Sequence, residues 1–403
     1  MTAPTTRRKW LQQASASGLA GVLGATTVWA GASTDVRFLF VLLRGGLDGL
    51  SLLVPHSSEL YAQVRPQIRI PLRTASGDAP GAELLDAHWA LHPAWSASVG
   101  PWIRAGQCSF IPFAGVDNLS RSHFETQDSV EMGHTSGTPR TYRSGFLNRL
   151  ATEIAGARAM AFTDALPLAL RGTATVQQFA LRGPVSRPAT LPMERELQAM
   201  YRDHPLDQRV QGAMQMRAEV ASQFSQEMEQ ASRQALSTRG FEAEARRIAR
   251  LMRQGVQVGF VDVGGWDTHI GQGAATGYLA NQLRELGLGL AAFAQEMGET
   301  VWQRTMVVVA TEFGRTMREN GGRGTDHGHG GVSIVMGGAL RSATVCGEQV
   351  PIEAKWLHQN RDLPVLNPLP AVLGGLFTRL YGLSPQAIER IFPGAQPRDV
   401  GLA

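Results

Sequence analysis

The segment VRFLFVLLRGGLDGLS, residues 36–51, joins an apolar run to a glycine-rich turn that contains Asp48. Near-continuous apolar runs of this length are typical of strands that are buried on both faces of a parallel sheet. The same pattern recurs in four later runs: CSFIPFA (108–114), VQVGFVDV (256–263), TMVVVAT (305–311) and VSIVMGG (332–338). The sequence therefore predicts five buried parallel strands.

Helical patterns lie between several of these runs, over residues 206–254, 274–297 and 369–383. Strands that alternate with helices favour an α/β fold in which helices cover both faces of a doubly wound, mostly parallel sheet. Residues 206–254 show amphipathic spacing without a continuous apolar face, which indicates a helical insertion. Residues 57–107 mix proline, glycine and polar residues, so we expect a long irregular connection with one short helix.

The N-terminal segment TTRRKWLQQASASGLAGVLGATTVWAGAS, residues 5–33, has the layout of an export signal. The paired Arg7 and Arg8 precede a moderately apolar stretch that ends in small residues. This pattern indicates a cleavable twin-arginine signal over residues 1–32, with an ordinary basic helix as the alternative. We expect a single domain over residues 33–403 that the twin-arginine machinery exports folded, to the periplasm or the outside.

Charge and hydropathy exclude several classes of partner. No later segment has about 18 uninterrupted apolar residues, so no membrane-spanning helix is predicted. The chain has 38 basic and 34 acidic side chains, and three of the basic ones, residues 7–9, lie in the signal. The remaining 35 and 34 nearly cancel. This balance argues against nucleic acid or an anionic membrane as a partner.

The two cysteines, Cys108 and Cys346, are too few for a disulfide scaffold. One bridge is possible in an oxidising compartment. Because Cys108 lies inside an apolar run, the sequence favours two buried free thiols.

Polar side chains follow the predicted strands at their carboxyl ends. Those after the first four strands are Asp48; Asp117, Ser120, Ser122 and His123; Asp267 and His269; and Glu312 and Arg315. The carboxyl ends of parallel strands share one edge, where ligands usually bind. We therefore expect these distant residues to converge.

The segment GTDHGHGG, residues 324–331, places Asp326, His327 and His329 between glycines. It lies between the strand that ends before Glu312 and the strand that starts at Val332, so it can fold over the same edge. A bare flexible loop is the alternative.

Asp267 and His269 are two positions apart, so in an extended segment both side chains point to one side, as two ligands of one ion require. A hydrogen-bonded polar turn is the alternative. Imidazole with carboxylate suits zinc, whereas carboxylate-rich sites suit manganese, magnesium or calcium. The sequence predicts one or two divalent ions.

Single residues at this edge have simpler interpretations as well. Asp48 is compatible with a hydrogen-bonded strand-to-helix turn. Ser122 is a candidate nucleophile and also a candidate helix N-cap, with Glu125 completing a capping box. Glu312 must find a cation or strong donors, and Arg315 is either its partner or a catalytic residue.

Paired metal ions activate and clamp oxygens in phosphoryl-type transfer, and a serine at a helix N-terminus fits that chemistry. The glycine-rich segment is not a phosphate-binding P-loop, and no G-x-S-x-G elbow is present. Dinucleotide, haem and iron–sulfur motifs are absent as well.

Five motifs, in order along nearly the whole chain, resemble one bacterial exported family. They are LRGGLDGLS, RSHFETQD, GGWDTH, TEFGRT with the following GTDHGHGG, and LFTRLYGLSPQAIERIFPG. The family is domain of unknown function 1501, a branch of the alkaline phosphatase and sulfatase superfamily. The resemblance implies an alkaline phosphatase-like α/β fold and, by analogy, a two-metal hydrolase site.

On that pattern Asp48 matches the metal aspartate of the first strand, and Ser122 matches the nucleophile. Asp267 and His269 match the aspartate and histidine of the first metal site. Glu312 matches the acid after the late strand, and His327 or His329 matches the last histidine.

One position departs from the superfamily, which has Asp-His where this chain has Glu312 and Phe313. Phenylalanine cannot ligate a metal. Either His123 or a residue of the 324–331 loop supplies the ligand, or the second site is altered or lost. The C-x-P-S-R pattern of formylglycine sulfatases is absent.

The leading hypothesis is an exported metal-dependent hydrolase of a phosphate or sulfate ester, small or polymeric, with Ser122 as nucleophile. The candidate ligands are Asp48, His123, Asp267, His269, Glu312, Asp326, His327 and His329. The rival hypothesis is a non-catalytic exported binding protein on the same fold with a degenerate metal site.

Overall fold

A computed structural model describes residues 35–74, 79–181, 229–340 and 342–402. Its main feature is an eight-stranded sheet. In chain order the strands are β1 (Arg37–Leu43), β5 (Cys108–Gly115), β6 (Ala159–Ala161), β7 (Val176–Gln178), β8 (Val258–Val263), β9 (Thr305–Thr311), β10 (Gly331–Gly337) and β11 (Asn367–Pro368). A separate three-stranded sheet consists of β2 (Leu53–Val54), β3 (Glu83–Leu84) and β4 (Ala90–Leu91).

The spatial order of the large sheet is β11-β5-β10-β9-β1-β8-β6-β7. All neighbouring pairs are parallel except the two that involve β10, which runs antiparallel to both β5 and β9. The prediction that residues 332–338 form a parallel strand is therefore wrong. For β10 to run parallel to β9, the connection between them would have to cross back to the end of the sheet where β9 begins. Residues 312–330 contain no helix and stay at one edge, so the chain returns antiparallel beside β9.

Helices cover both faces of the sheet, as predicted. They are α1 (Gly49–Leu52), α2 (Glu59–Val64), α3 (Pro93–Arg104), α4 (His123–Met132), α5 (Phe146–Glu153), α6 (Phe241–Arg253), α7 (Tyr278–Met297), α8 (Glu299–Trp302), α9 (Leu369–Tyr381) and α10 (Pro385–Ile391). Short 3₁₀ turns occupy Leu168–Leu170 and Ala354–Trp356.

Alternate residues of β1 point into two separate cores. Leu39 and Val41 belong to the core beneath α3, α6 and α7. Phe38 and Phe40 belong to the core beneath α5, α9 and α10. Because both faces are buried, the strand is apolar from Phe38 to Leu43 and shows no alternation.

Several predicted features have a different outcome. The short strands β6, β7 and β11 and the small sheet were not predicted, because two or three residues make no detectable run. The connection over residues 57–107 contains two helices, α2 and α3, and not one. Cys108 and Cys346 are buried free thiols, as predicted.

Part of the predicted domain organisation lies outside the described residues, namely the export signal (1–32) and residues 206–228 of the helical insertion. The described end of that insertion contains α6, in which Phe241, Ala245 and Ile248 are buried. Phe241 packs against Gly289 of α7. Among the described helices, none has the length and hydropathy needed to cross a membrane.

Candidate metal centre

The fold brings four of the predicted ligands together at the carboxyl edge of the sheet. They are His123, the first residue of α4; Asp267 and His269, in the segment after β8; and His327, in the loop before β10. Because β10 is antiparallel, its first residue lies at the edge where β5, β8 and β9 end. Three ligand atoms, from His123, Asp267 and His327, lie within 4.8 Å of one another.

Asp267 is the centre of this cluster, and its side chain is only 1% exposed. Its Oδ1 lies 3.0 Å from His269 Nε2 and 3.2 Å from His327 Nε2. Arg315 Nη2 donates to the same oxygen at 2.5 Å. His123 Nε2 faces the other oxygen, Oδ2, at 3.4 Å.

The β1 turn packs closely against this aspartate. Gly45 has a φ of +121°, and a Cβ atom there would lie 2.5 Å from the backbone nitrogen of Asp267. Only glycine allows that approach without strain. The glycine-rich turn after β1 therefore serves to seat Asp267.

His269 and His327 are placed as two ligands of one ion would be. Their Nε2 atoms are 3.0 Å apart and both lie close to Asp267 Oδ1. Ligand atoms bound tetrahedrally at about 2.0–2.1 Å from zinc are separated by about 3.3 Å. The observed triangle is therefore close to the spacing of a coordination shell.

Each histidine of the cluster has an acceptor at Nδ1. For His123 it is Glu312 Oε1 at 2.9 Å, and for His269 it is Asp326 Oδ1 at 3.3 Å. For His327 it is the backbone oxygen of residue 121, at 2.9 Å. In the neutral form of each ring, these contacts favour a proton at Nδ1, so that Nε2 faces Asp267 as an acceptor.

All three lone pairs then face Asp267, which is itself only an acceptor. His123 Nε2 is buried and has no hydrogen-bond partner among the described residues. Such an arrangement is unfavourable unless a proton or a cation lies between the acceptors. Metal-bound histidines in proteins show the same pattern, with the second ring nitrogen held by a carboxylate or carbonyl.

The electrostatics favour positive charge at this point. Burial alone would raise the pKa of Asp267, but the three histidines and Arg315 hold it well below its usual range. Burial alone would lower the pKa of His123, but Asp267 and Glu312 raise it to about 9. Burial lowers the pKa of His327, which favours the neutral ring that a metal needs.

Glu312 lies behind His123. It is fully buried, and its Oε1 accepts from Gly45 N at 2.7 Å and from Gln127 Nε2 at 3.0 Å, besides His123. Burial opposes ionisation, but these donors lower the pKa of Glu312 to about 2. Gln127 was not predicted, although it lies on the same helix face as His123, four residues later.

The structure does not bring Asp48 to the cluster. Arg65 binds both of its oxygens, at 2.7 and 3.0 Å, and Ser51 and Gln272 donate to it as well. Burial would raise the pKa of Asp48, but Arg65 holds it below its usual range. A guanidinium thus occupies the position that the sequence assigned to a metal ion.

His329 and Arg315 also have other surroundings than predicted. The His329 ring lies 5.0 Å from the ring of His358. Arg315 is fully buried, donates to backbone oxygens of residues 45, 46 and 325, and binds Asp267 rather than Glu312. It therefore positions Asp267 and does not face solvent.

Asp326 lies at the rim with its side chain 51% exposed, held by Asn320 at 2.9 Å and by His269. Ser122 occupies the N-cap position of α4, directly before His123. Its side chain makes no capping hydrogen bond, and Glu125 is exposed. The predicted capping box is therefore absent.

These features define an α/β protein with a candidate metal centre of histidines and one aspartate at the carboxyl edge of its sheet. Residues 35–392 match the family described as "Protein of unknown function (DUF1501)". The chain belongs to that family. No curated protein matches the sequence.

Solved structures to which the chain is similar include one that is titled as a protein in the alkaline phosphatase superfamily. One from Vibrio parahaemolyticus shows 9% identity and a TM-score of 0.35, over 76% of this chain and 62% of that one. The lipoteichoic acid synthase LtaP from Listeria monocytogenes shows 8% identity and a TM-score of 0.37, over 91% of this chain and 75% of that one. A 2-O GAG sulfatase shows 10% identity and a TM-score of 0.35, over 91% of this chain and 76% of that one. The chain thus spans under two thirds of the Vibrio protein, and the likenesses are too distant to transfer an activity.

Proposed function

We propose that the protein is an exported metal-dependent hydrolase that acts on a phosphate or sulfate ester. The observation that carries this proposal is the set of three imidazole Nε2 atoms directed at Asp267, with every Nδ1 held by an acceptor. The serine at the start of α4 lies next to this set in the chain. No other cluster among the described residues brings three candidate ligands so close.

The donor set fits a divalent ion. Asp267, His123, His269 and His327 would hold it, and three nitrogens with one carboxylate suit zinc better than calcium or magnesium. When bound, a divalent ion stabilises negative charge on ester oxygens and lowers the pKa of a nearby hydroxyl.

The residues of the chain would supply the remaining functions. Ser122 has the hydroxyl of a nucleophile, which capping does not use. The N-terminus of α4 favours a phosphate or sulfate group beside it. Attack by the serine oxygen would form a bond to phosphorus or sulfur as the bond to the alcohol oxygen breaks, and the serine proton would leave with the alcohol. Water would then cleave the serine ester, with its hydroxyl passing to phosphorus or sulfur and its proton to the serine oxygen.

A non-catalytic binding protein is the second candidate, and one observation favours it. Two predicted metal ligands, Asp48 and Glu312, are engaged by Arg65 and His123. Only part of a two-metal site is therefore built, and a structural ion with no turnover would fit the same geometry.

Turnover separates the two candidates. Metal-loaded mature protein should hydrolyse aryl phosphate or aryl sulfate, and Ser122→Ala should reduce the rate by several orders of magnitude. Ser136→Ala, which removes an exposed hydroxyl beyond the other end of α4, should have little effect. Background rates for metal-replete wild type on both substrates would refute the hydrolase.

A further inference from the structure

We propose that the centre holds one divalent ion per chain, and that the buried Arg65, which binds Asp48, takes the place of a second ion. The inference rests on the proposed metal site and deepens it, because it specifies how many ions bind and which residues stay outside the coordination shell. It concerns the number of bound ions and not turnover.

The first support is the state of the candidate ligands. Each oxygen of Asp48 already accepts from Arg65, and Oδ2 also accepts from Ser51 and Gln272. Arg65 is itself fully buried and anchored on backbone oxygens of residues 316 and 317. A metal ion at Asp48 would have to displace a guanidinium that is fully buried.

Glu312 is similarly occupied. Its Oε1 accepts from a backbone amide, from Gln127 and from His123. Through the last of these contacts it fixes the His123 ring so that Nε2 points at Asp267. Glu312 is therefore a positioning residue for a ligand, and Phe313 at the next position supplies no donor atom.

The second support is charge. Asp48, Asp267 and Glu312 are buried acids, and Arg65 and Arg315 are the buried cations bound to the first two. Among these five groups one negative charge is left, and a histidine that binds a metal is a neutral ligand. One divalent ion gives a net charge of +1, which an anionic ester can neutralise.

Two divalent ions would add four positive charges beside Arg65 and Arg315, and charge that is not compensated in a protein interior is unfavourable. The arrangement therefore suits a single ion with an anionic ligand.

The test is a count of bound ions in the purified mature protein. Metal-free protein is titrated with Zn²⁺, and separately with Mn²⁺, against a chelator of known affinity, and metal content is then measured after gel filtration. Wild type should saturate at one ion per chain. Glu312→Gln should also saturate at one, with affinity lowered by about 10–100-fold. His88→Ala, which changes an exposed histidine in the turn between β3 and β4, is the control and should bind as wild type does.

Asp48→Asn should keep one ion if it folds, which circular dichroism establishes. If it does not fold, X-ray absorption of wild type decides, because two ions in one site would show a metal–metal distance of about 3.5–4 Å. Saturation at two ions, that distance, or loss of binding in Asp48→Asn that remains folded would overturn the proposal. One ion with no turnover would support the count while removing the proposed hydrolase, and no ion in folded wild type would overturn both.

Discussion

At the scale of single residues, the centre depends on which ring nitrogen of each histidine faces Asp267. His327 and His329 differ by two positions on one loop, yet only His327 has its Nε2 near Asp267. The sequence could not choose between them, because both precede the same strand and both are flanked by glycine.

Replacing His327 by alanine should therefore abolish high-affinity metal binding, since it removes a ligand. The loss should exceed the roughly 10–100-fold that follows from removing an outer-shell partner. His329→Ala should bind metal as wild type does. Zinc affinity measured by chelator competition checks both variants, and equal losses would contradict the assignment of His327.

The Asp48–Arg65 pair predicts a stability effect that does not involve metal. Asp48→Asn leaves the guanidinium of Arg65 buried without a counter-ion, so the free energy of unfolding should fall by about 3–5 kcal/mol. Denaturant unfolding of the metal-free proteins measures this difference at pH 7.

The pH dependence of the same pair has a definite sign. The folded-state pKa of Asp48 is below its unfolded value of about 3.9, so its contribution is complete above that pH and declines as the pH falls further. The difference in unfolding free energy between wild type and Asp48→Asn should thus become smaller below about pH 4. If that difference in unfolding free energy is constant down to pH 2, the Asp48–Arg65 ion pair is not its cause.

Residue-level prediction from sequence worked where a side chain directly follows a long strand. Asp267 and Glu312 follow the last residues of β8 and β9 within four positions. Their place at the carboxyl end of the sheet could therefore be inferred from the sequence. Arg65 could not be found in this way. It lies at the end of the short helix α2, in a segment without periodicity, and its pairing with Asp48 is a tertiary contact.

At the scale of elements, the loop between β9 and β10 decides the shape of the centre. Gly314 packs on the far end of the same loop, and a Cβ atom there would lie 1.8 Å from the carbonyl oxygen of Gly330. The two ends of the loop therefore touch directly, which holds His327 over the sheet edge.

Gly314→Ala should force these backbones apart. We expect a loss of about 1–3 kcal/mol in unfolding free energy and weaker zinc binding, because the loop that carries His327 must shift. Gly321→Ala is the control, since a Cβ atom at this exposed position meets nothing within 4 Å. Thermal unfolding and zinc titration of both variants test this, and a Gly314→Ala protein equal to wild type would disprove the close contact.

Element prediction succeeded for the long strands and failed for the direction of β10 and for short elements. Apolar runs reveal burial, and all five predicted runs are buried strands. A run does not reveal direction, which follows from the path of the connection, so the antiparallel β10 was missed.

At the scale of the whole molecule, the sheet has a hydrophobic core on each face, and the candidate metal centre lies at the carboxyl ends of its parallel strands. The alternation of strands and helices was enough to predict this architecture, because each layer has its own hydrophobic periodicity. The small sheet and the position of the site within the edge depend on contacts between segments far apart in sequence.

Export belongs to this scale as well. If the paired arginines direct a twin-arginine route, replacing Arg7 and Arg8 together by lysine should keep the precursor inside the cell, although the charge is unchanged. Cell fractionation and N-terminal sequencing measure this, and we expect a mature chain that starts near Ser33. Undiminished export of the double-lysine chain would refute that route.

The most direct test of the metal centre is a crystal of the zinc-loaded mature protein measured on both sides of the zinc absorption edge. We predict one anomalous peak about 2.0–2.1 Å from the Nε2 atoms of His269 and His327, beside an oxygen of Asp267 and within reach of His123. A peak at Asp48, a peak remote from these histidines, or no peak in fully loaded protein would contradict the assignment.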